Sequence, residues 1–314
     1  MNTNAKQTLS GALLLGSALA ALFWSNSPAQ SGYEWIHQFN WLPAAAIFIF
    51  FATVGIELRH ELSVGSLSIS RKAALPIAAA IGGMIVPALV FTLFNMHTGS
   101  LAGWAIPMST DIAFALAILA IFGKKLPAEM RAFLLTVAVV DDVLAILVIA
   151  IFYTSSFSML SLASVIGVAV GLAWPRSAGA AIHSKLDSFN SLIGLPLFVL
   201  FEAGVHIAAQ DQSAVLNSPI IYGVIAGLIL GKPAGILLGT YVAGVISKTQ
   251  IDWQNLLPIA LLGGVGFTVA LLMNSLSFAQ GSLASASGTM GVIVGSAASA
   301  SLAIYAMQRK RANV

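Results

Sequence analysis

The chain of 314 residues contains no cysteine, which excludes disulfide frameworks, thiolate metal sites and cysteine nucleophiles. Charged residues are also scarce, at 8% of the sequence, whereas an ordinary soluble domain has about 25%. Such a composition cannot cover a globule with polar surface, so soluble enzymes and disordered regulators are excluded. The net charge of +3 is too small for a basic patch, and no nucleic-acid partner is predicted.

What the chain has in abundance is long apolar runs. Because a helix needs roughly 20 residues to cross the hydrocarbon core of a bilayer, runs of that length are candidate spans. Ten occur, at about 9–24, 41–57, 73–95, 102–122, 132–153, 160–174, 192–208, 219–241, 256–275 and 288–307. The sequence therefore predicts an all-α integral membrane protein, with residues 1–314 forming a single transmembrane domain. A cleaved signal peptide is the alternative interpretation of the first run.

The basic residues indicate how these spans are oriented. Thirteen of the 14 Lys and Arg residues fall at the termini or in alternate loops. The other loops, at 25–40, 96–101, 154–159, 209–218 and 276–287, contain no Lys or Arg. Since Lys and Arg are enriched in cytoplasmic loops, we expect both termini in the cytoplasm and an even number of spans.

Several ionisable residues lie inside the apolar runs. They are Asp111, Asp141, Asp142, Lys232 and, near the end of a run, Glu202. One unpaired charge at a helix centre costs about 2.5–3.5 kcal/mol, so such groups are usually paired, neutral or beside water. A buried ion pair that only holds helices together is the alternative for Lys232. Three central carboxylates against one cation nevertheless favour a functional site.

Two spans have sequences that interrupt a helix near its middle. Pro107 breaks the helical hydrogen-bond ladder, and the Ser-Thr-Asp sequence at 109–111 is typical of the start of a new helix. A proline kink with local capping is the alternative there. The second interruption is predicted at 263–268, which contains three glycines. Unwound backbone at this depth is tolerated only inside protein or beside water, so both breaks indicate a site.

The two broken spans occupy corresponding positions in the chain. Each is the middle span of a group of three, at about 73–153 and 219–307. This correspondence predicts two inverted three-helix repeats whose broken helices cross at the binding site. Glycines recur every four residues from 223 to 239 in the span that contains Lys232. Such a stripe lets a second backbone approach closely.

Asp141 and Asp142 are adjacent in one predicted helix. Consecutive helical residues point about 100° apart, so the two carboxylates cannot share one partner symmetrically. One can face a cation while the other faces a cavity.

In these segments the chain resembles the NhaA family of sodium/proton antiporters. The matching stretches are 50–62, 104–115, 140–142, 230–236 and 264–268, in the family's order. This family is itself a known inverted-repeat transporter, so the resemblance and the repeat interpretation are not independent. The resemblance implies a bacterial inner-membrane antiporter that exports Na⁺, with Li⁺ as a second candidate, in exchange for H⁺, for pH and sodium homeostasis. It implies no cofactor.

The resemblance also assigns roles to individual residues. It makes Asp142 the principal carboxylate for Na⁺ and H⁺, with Asp141 beside it and Lys232 as the ion-pair partner. Asp142, Asp141 and Thr110 would be the ligands of a transient Na⁺. Thr110 and Asp111 would lie at the helix crossing, where the ends of opposed half-helices need compensating charge.

A further acidic segment closes the second span. By resemblance Glu57 and Glu61 belong to a cytoplasmic entrance that senses pH, and His60 between them can titrate near neutrality. An ordinary solvated helix boundary is the alternative.

Three features depart from the family pattern. The chain is two helices short after Arg176, and loop 25–40 has no room for the β-hairpin of the family's dimer contact. Because that hairpin is absent, the sequence leaves open whether the chain forms a homodimer. His60 replaces a usual arginine, and Glu202 stands where an uncharged residue is normal. His206, four residues later, could pair with Glu202.

Other classes of protein remain as alternatives. A sodium-coupled symporter of a small organic anion shares the broken-helix architecture, and a homologue that has lost transport is another candidate. An intramembrane aspartyl protease would use Asp111 and Asp142, but a nearby Lys232 opposes the shared proton that such a pair needs. Hard oxygen ligands suit a hard cation. Because Lys232 disfavours the protease, the sequence predicts a transporter rather than an enzyme.

Overall fold

A computed structural model describes residues 3–39, 41–63, 74–123, 126–153, 158–174, 185–205 and 212–312. Within these ranges every regular element is helical, and no β-strand occurs. The prediction of an all-α membrane protein is confirmed. A long apolar helix satisfies all of its backbone hydrogen bonds internally, which the hydrocarbon core demands.

The described residues contain fourteen α-helices with defined ends, and a further helical segment at 185–189 leads into a π-helical turn. The first seven are α1 (Thr3–Ser25), α2 (Gln30–Ile36), α3 (Trp41–Ser63), α4 (Ala74–Asn95), α5 (Ile112–Phe122), α6 (Ala128–Val148) and α7 (Met159–Ala173). The others are α8 (Leu195–Glu202), α9 (Gln212–Leu216), α10 (Pro219–Ala226), α11 (Lys232–Ser247), α12 (Trp253–Gly263), α13 (Thr268–Ser277) and α14 (Leu283–Ala312). A 3₁₀ helix, Leu101–Met108, precedes α5, and π-helical turns occupy Ile149–Tyr153, Asn190–Gly194 and Gly227–Gly231.

A helix lies at each of the ten predicted span positions. Seven of these helical stretches are long and apolar enough to cross a membrane, and the bent pair α12 and α13 makes an eighth. At the other two positions, α7 has 15 residues, and α8 is the last part of a helical stretch that runs from 185 to 202 through the π-helical turn. The count of ten spans and the two inverted repeats therefore stay predictions.

Both predicted interruptions are present. The chain is extended at Ser109 and Asp111, between the 3₁₀ helix and α5. The first half of this span is thus a 3₁₀ helix with Pro107 inside it, rather than the expected α-helix. The second interruption separates α12 from α13, whose axes differ by 45°. Each break leaves two helix ends and a short unwound segment at the centre of the bundle.

The glycine stripe brings two backbones together. Helix α4 packs along α10 and α11 over most of its length. A Cβ atom built on Gly235 would lie 2.1 Å from the carbonyl oxygen of Gly82, closer than any real contact. The predicted close approach is confirmed, and α4 is the partner. Helices α3 and α7 pack in the same manner, because a Cβ on Gly171 would lie 2.2 Å from the Ala52 carbonyl oxygen.

The N-terminal segment is part of the bundle. Helix α1 packs against α5 and α8. The loop that lacks room for a β-hairpin contains the short helix α2, whose Tyr33 is buried. The Tyr33 hydroxyl lies 2.8 Å from the Leu200 carbonyl oxygen and attaches α2 to the end of α8.

Candidate functional site

The two unwound segments cross and bond to each other. The backbone N–H of Asp111 donates to the Val265 carbonyl oxygen at 2.7 Å. The Thr110 hydroxyl lies 2.8 Å from the Gly263 carbonyl oxygen and 2.8 Å from Asp141 Oδ2, and it donates its single proton to one of them. The crossing thereby supplies partners for backbone groups that the breaks release at membrane depth.

Asp111 caps two helices with one carboxylate. Its Oδ1 accepts from the Phe114 N–H at 3.0 Å, in the first turn of α5. Its Oδ2 accepts from the Thr268 N–H at 3.2 Å and from the Thr268 hydroxyl at 2.5 Å, at the start of α13. The side chain is buried. A negative charge therefore lies where the positive ends of two half-helices converge, which stabilises both.

Lys232 places a positive charge at the C-terminal end of a helix. The side chain has no solvent exposure, and its Nζ donates to the Met108 carbonyl oxygen at the end of the 3₁₀ helix. The same Nζ forms an ion pair with Asp141 Oδ2. A buried cation is thus matched by a carboxylate and by the negative end of a helix, which burial of a charge requires.

The adjacent acids Asp141 and Asp142 have different surroundings. Lys232 and the Thr110 hydroxyl both contact Asp141 Oδ2, while Asp141 Oδ1 is buried and has no hydrogen-bond partner among the described residues. Asp142 is also buried, yet its side chain lines a cavity. Among the described residues, no side chain donates a hydrogen bond to Asp142. The cavity therefore meets an acid whose oxygens are available to an ion or to water.

This cavity has a volume of about 220 Å³ and connects the crossing with one face of the bundle. Its inner end is lined by Thr110, Asp111, Asp142 and Thr268, and Glu57 lies on its wall. Its outer end is lined by Lys6 and Asp187, whose Nζ and Oδ2 atoms form an ion pair at 2.6 Å. The volume is enough for several water molecules.

The predicted residues divide into two groups in the structure. Thr110, Asp111, Asp141, Asp142 and Lys232 come together at the crossing, and Glu57 lies on the cavity wall. The side chains of His60 and Glu61 lie outside the described residues, so their role at the entrance stays a prediction.

The sequence analysis missed some residues of this site. Thr268 stands where the second break ends, as Thr110 does in the first, and this correspondence could have identified it. Lys6 and Asp187 line the cavity from segments 181 residues apart, and no local pattern signals that.

The donor set has a clear chemical preference. Carboxylate and hydroxyl oxygens line the inner cavity, and such hard ligands suit hard cations. Across the described part of the chain, no group of three or more His, Cys, Asp or Glu side chains could hold a metal ion tightly.

Comparison with known proteins gives many relatives. The Na(+)/H(+) antiporter NhaA of Mycolicibacterium smegmatis is 39% identical, over 98% of this chain and 86% of the relative. The protein of the same name from Frankia casuarinae is 34% identical, over 96% of this chain and 85% of the relative. The Na(+)/H(+) antiporter NhaA of Streptomyces avermitilis is 37% identical, over 87% of this chain and 73% of the relative.

The alignments also show where the chain differs. The alignment with the Mycolicibacterium protein extends over 373 positions. Because this chain has 314 residues, at least 59 aligned positions of the relative have no counterpart here. The pattern of the Na⁺/H⁺ antiporter 1 family matches residues 2–181 and 162–307, two segments that overlap at 162–181. The chain belongs to the Na⁺/H⁺ antiporter 1 family.

Proposed function

We propose that this chain exchanges Na⁺ for H⁺ across the membrane and that Asp142 holds either ion in turn. The observation that carries this proposal is the different placement of two adjacent acids. Lys232 engages Asp141, whereas Asp142 faces the cavity. One carboxylate can hold a proton or a sodium ion but not both. Opposite fluxes are then coupled, provided that the site opens to one side of the membrane at a time.

The ligands of Na⁺ in this proposal are the oxygens around Asp142. Thr110 lines the cavity beside it, and within the described part of the chain Asp141 Oδ1 has no hydrogen-bond partner that it would have to lose. The bonds of Lys232 and Asp111 to the helix ends fix the charges around the cation. Fixed dipoles of this kind replace the hydration shell of the ion at a low cost in reorganisation. Li⁺ has the same ligand preference and is the second substrate that we propose.

We propose that the cation enters through the outer end of this cavity, which Lys6 and Asp187 line and which we call the mouth. Glu57 lines the same cavity as the Lys6–Asp187 ion pair and Asp142, and its negative charge would attract cations into this cavity. With His60 and Glu61 nearby in sequence, this segment is also our candidate for the pH-sensing entrance. The physiological role that follows is pH and sodium homeostasis.

We propose that the mouth faces the cytoplasm of a bacterium and that the protein lies in the inner membrane. The distribution of Lys and Arg supports this orientation. The absence of cysteine makes it testable by single-cysteine labelling in intact cells. Gln250→Cys, near Lys248, should be protected from an impermeant thiol reagent, and Ser213→Cys should react. The reverse pattern would contradict the orientation.

The alternative functions fit the site less well. A symporter of organic anions would bring a negative substrate into a cavity lined by Glu57, Asp111 and Asp142. Lys232, the buried cation, is already engaged by Asp141. A protease would need a proton shared between Asp111 and Asp142, but both oxygens of Asp111 accept bonds from helix ends. The complete set of charges at the crossing also disfavours a homologue that has lost transport.

The test is Na⁺-dependent proton movement in proteoliposomes with a preset pH gradient. Asp142→Asn keeps the volume and the hydrogen-bonding atoms but cannot titrate, so it should insert normally and show no Na⁺-induced collapse of the gradient. Asp252→Asn is the matched control, because Asp252 is an exposed acid that caps α12 outside the cavity. Exchange by Asp142→Asn at the rate of the control would refute the proposal.

A further inference from the structure

A second cavity lies on the other side of the crossing. It has a volume of about 170 Å³, and its polar lining residues include His37, Glu202, Gln280, Ser285 and Thr289. Two of the loops that contain no Lys or Arg, 25–40 and 276–287, contribute to it. Helix α13 connects the two cavities. It begins at Thr268 in the first cavity and reaches Ser275, beside Glu202, after about 10 Å.

Glu202 is the charged group of this second cavity. Its side chain is only 9% exposed and ends α8. Its Oε2 accepts a hydrogen bond from the Ser275 hydroxyl. Within the described ranges no Lys, Arg or His forms an ion pair with it, and His206 lies outside those ranges. A carboxylate this deeply buried needs a counter-charge or a proton.

The titratable groups that face Glu202 do not supply that charge. Burial lowers the pKa of His37, so its ring is neutral near pH 7. Burial, together with the charge of Glu202, raises the pKa of Tyr33 far above its usual range, so its hydroxyl keeps its proton. The His37 Nε2 atom is buried without a hydrogen-bond partner in the described residues. The cavity thus combines one carboxylate, neutral polar groups and an unsatisfied nitrogen.

The remaining polar atoms are mostly oxygens. Thr289 and Ser285 contribute hydroxyl groups, and Gln280 contributes an amide oxygen. The Ser275 hydroxyl is bonded to Glu202. Such a set suits a hydrated hard cation, and the single negative charge suits a monovalent one. The volume allows the ion to keep several water molecules.

We propose that the second cavity is a binding site for Na⁺, separate from the Asp142 site, with Glu202 as its charged ligand. The inference does not rest on exchange at Asp142, because the two cavities have no lining residue in common. A cation bound here lies on the face without basic loops. The second cavity would therefore raise the local Na⁺ concentration on one side of the bundle. This side is opposite the end of the first cavity that Lys6 and Asp187 line.

The test uses thiol labelling, since the chain has no cysteine of its own. Ser285→Cys places a thiol on the cavity wall, and Gln280→Cys places one at an exposed lining position. In detergent, Na⁺ should slow modification by a small charged thiol reagent, while choline at equal ionic strength should not. Simple competition predicts a rate that falls about twofold when the Na⁺ concentration equals its Kd.

Two further variants separate this site from the transport site. Protection by Na⁺ should persist in Asp142→Asn, which removes the carboxylate of the first cavity, and should disappear in Glu202→Gln. Loss of protection in Asp142→Asn would show that labelling reports the transport site and would overturn the inference. Protection that survives Glu202→Gln would also overturn it. If neither cysteine reacts, the cavity is closed to aqueous ions and the proposal is wrong.

Discussion

The carboxylate of Asp111 accepts hydrogen bonds from both the backbone N–H and the hydroxyl of Thr268, which lies 157 positions further along the chain. The same carboxylate caps α5 through the Phe114 N–H. One side chain therefore fixes the starts of two half-helices that belong to different halves of the sequence. The crossing depends on this acid for its geometry, as it depends on Lys232 for compensation of charge.

Removal of the double cap should weaken the fold in steps. Asn at position 111 has one acceptor oxygen and can cap one helix start, whereas Ala can cap neither. Each lost cap costs about 0.5–2 kcal/mol. We therefore expect the thermal unfolding temperature in detergent to fall for Asp111→Asn and to fall further for Asp111→Ala. Equal unfolding temperatures for the wild type and Asp111→Ala would contradict the capping role.

The buried ion pair should show strong energetic coupling. Lys232→Met leaves Asp141 as an uncompensated buried charge and should cost about 3–5 kcal/mol, whereas loss of both charges is much cheaper. The double variant Lys232→Met/Asp141→Asn should therefore unfold at a higher temperature than Lys232→Met alone. The exposed pair Lys6–Asp187 is the control, because removal of a surface ion pair changes stability by about 0–1 kcal/mol. Additive effects of the two buried substitutions would argue against coupling.

The contact between α4 and α11 should not tolerate one added methyl group. In Gly235→Ala the Cβ would collide with the Gly82 carbonyl oxygen, so the two helices must move apart. Overpacking of this kind costs about 1–3 kcal/mol. Gly16→Ala is the control, since a Cβ there meets nothing within 4 Å and Ala is the better helix former. We expect the unfolding temperature to fall for Gly235→Ala but not for Gly16→Ala. An equal decrease in these two variants would contradict the packing argument.

If Na⁺ and H⁺ compete for Asp142 as proposed, the apparent Na⁺ affinity should depend on pH. As pH falls, a growing fraction of Asp142 carries a proton, and Na⁺ must displace it. The KM for Na⁺ should therefore rise with acidity, approaching tenfold per pH unit below the pKa of Asp142 for one exchanged proton. Proteoliposome exchange measured over several pH values tests this dependence, and Asp252→Asn should show the same slope. A KM that is independent of pH would exclude a shared site.

The sequence predicted the chemistry of the crossing better than its geometry. Buried charges and helix breaks are visible in a sequence because they violate the apolar pattern, and this identified Asp111, Asp142 and Lys232. Which of the adjacent acids meets Lys232 depends on the rotation of α6 about its axis, which no local pattern determines. The bond from Lys232 to the Met108 carbonyl oxygen depends likewise on how α11 lies against the 3₁₀ helix.

Some features had no signal in the sequence. The outer end of the first cavity combines Lys6 in α1 with Asp187, which are far apart in the chain and meet only after the bundle has packed. The short helix α2 replaces a plain loop because Tyr33 finds carbonyl acceptors at the end of α8. Contacts of this kind arise from tertiary structure and could not be predicted from residue spacing.

The glycine contacts also determine which parts of the molecule can move against each other. Helix α4 touches α11 backbone to backbone, and α3 touches α7 in the same way, so we expect the two helices of each pair to move together. Glu57 belongs to the α3–α7 pair, while Lys232 belongs to the α4–α11 pair and anchors Asp141 of α6 to it. If Asp142 carries the exchange proposed above, rocking of one pair relative to the other is the motion that we expect to open and close the cavity lined by Glu57 and Asp142.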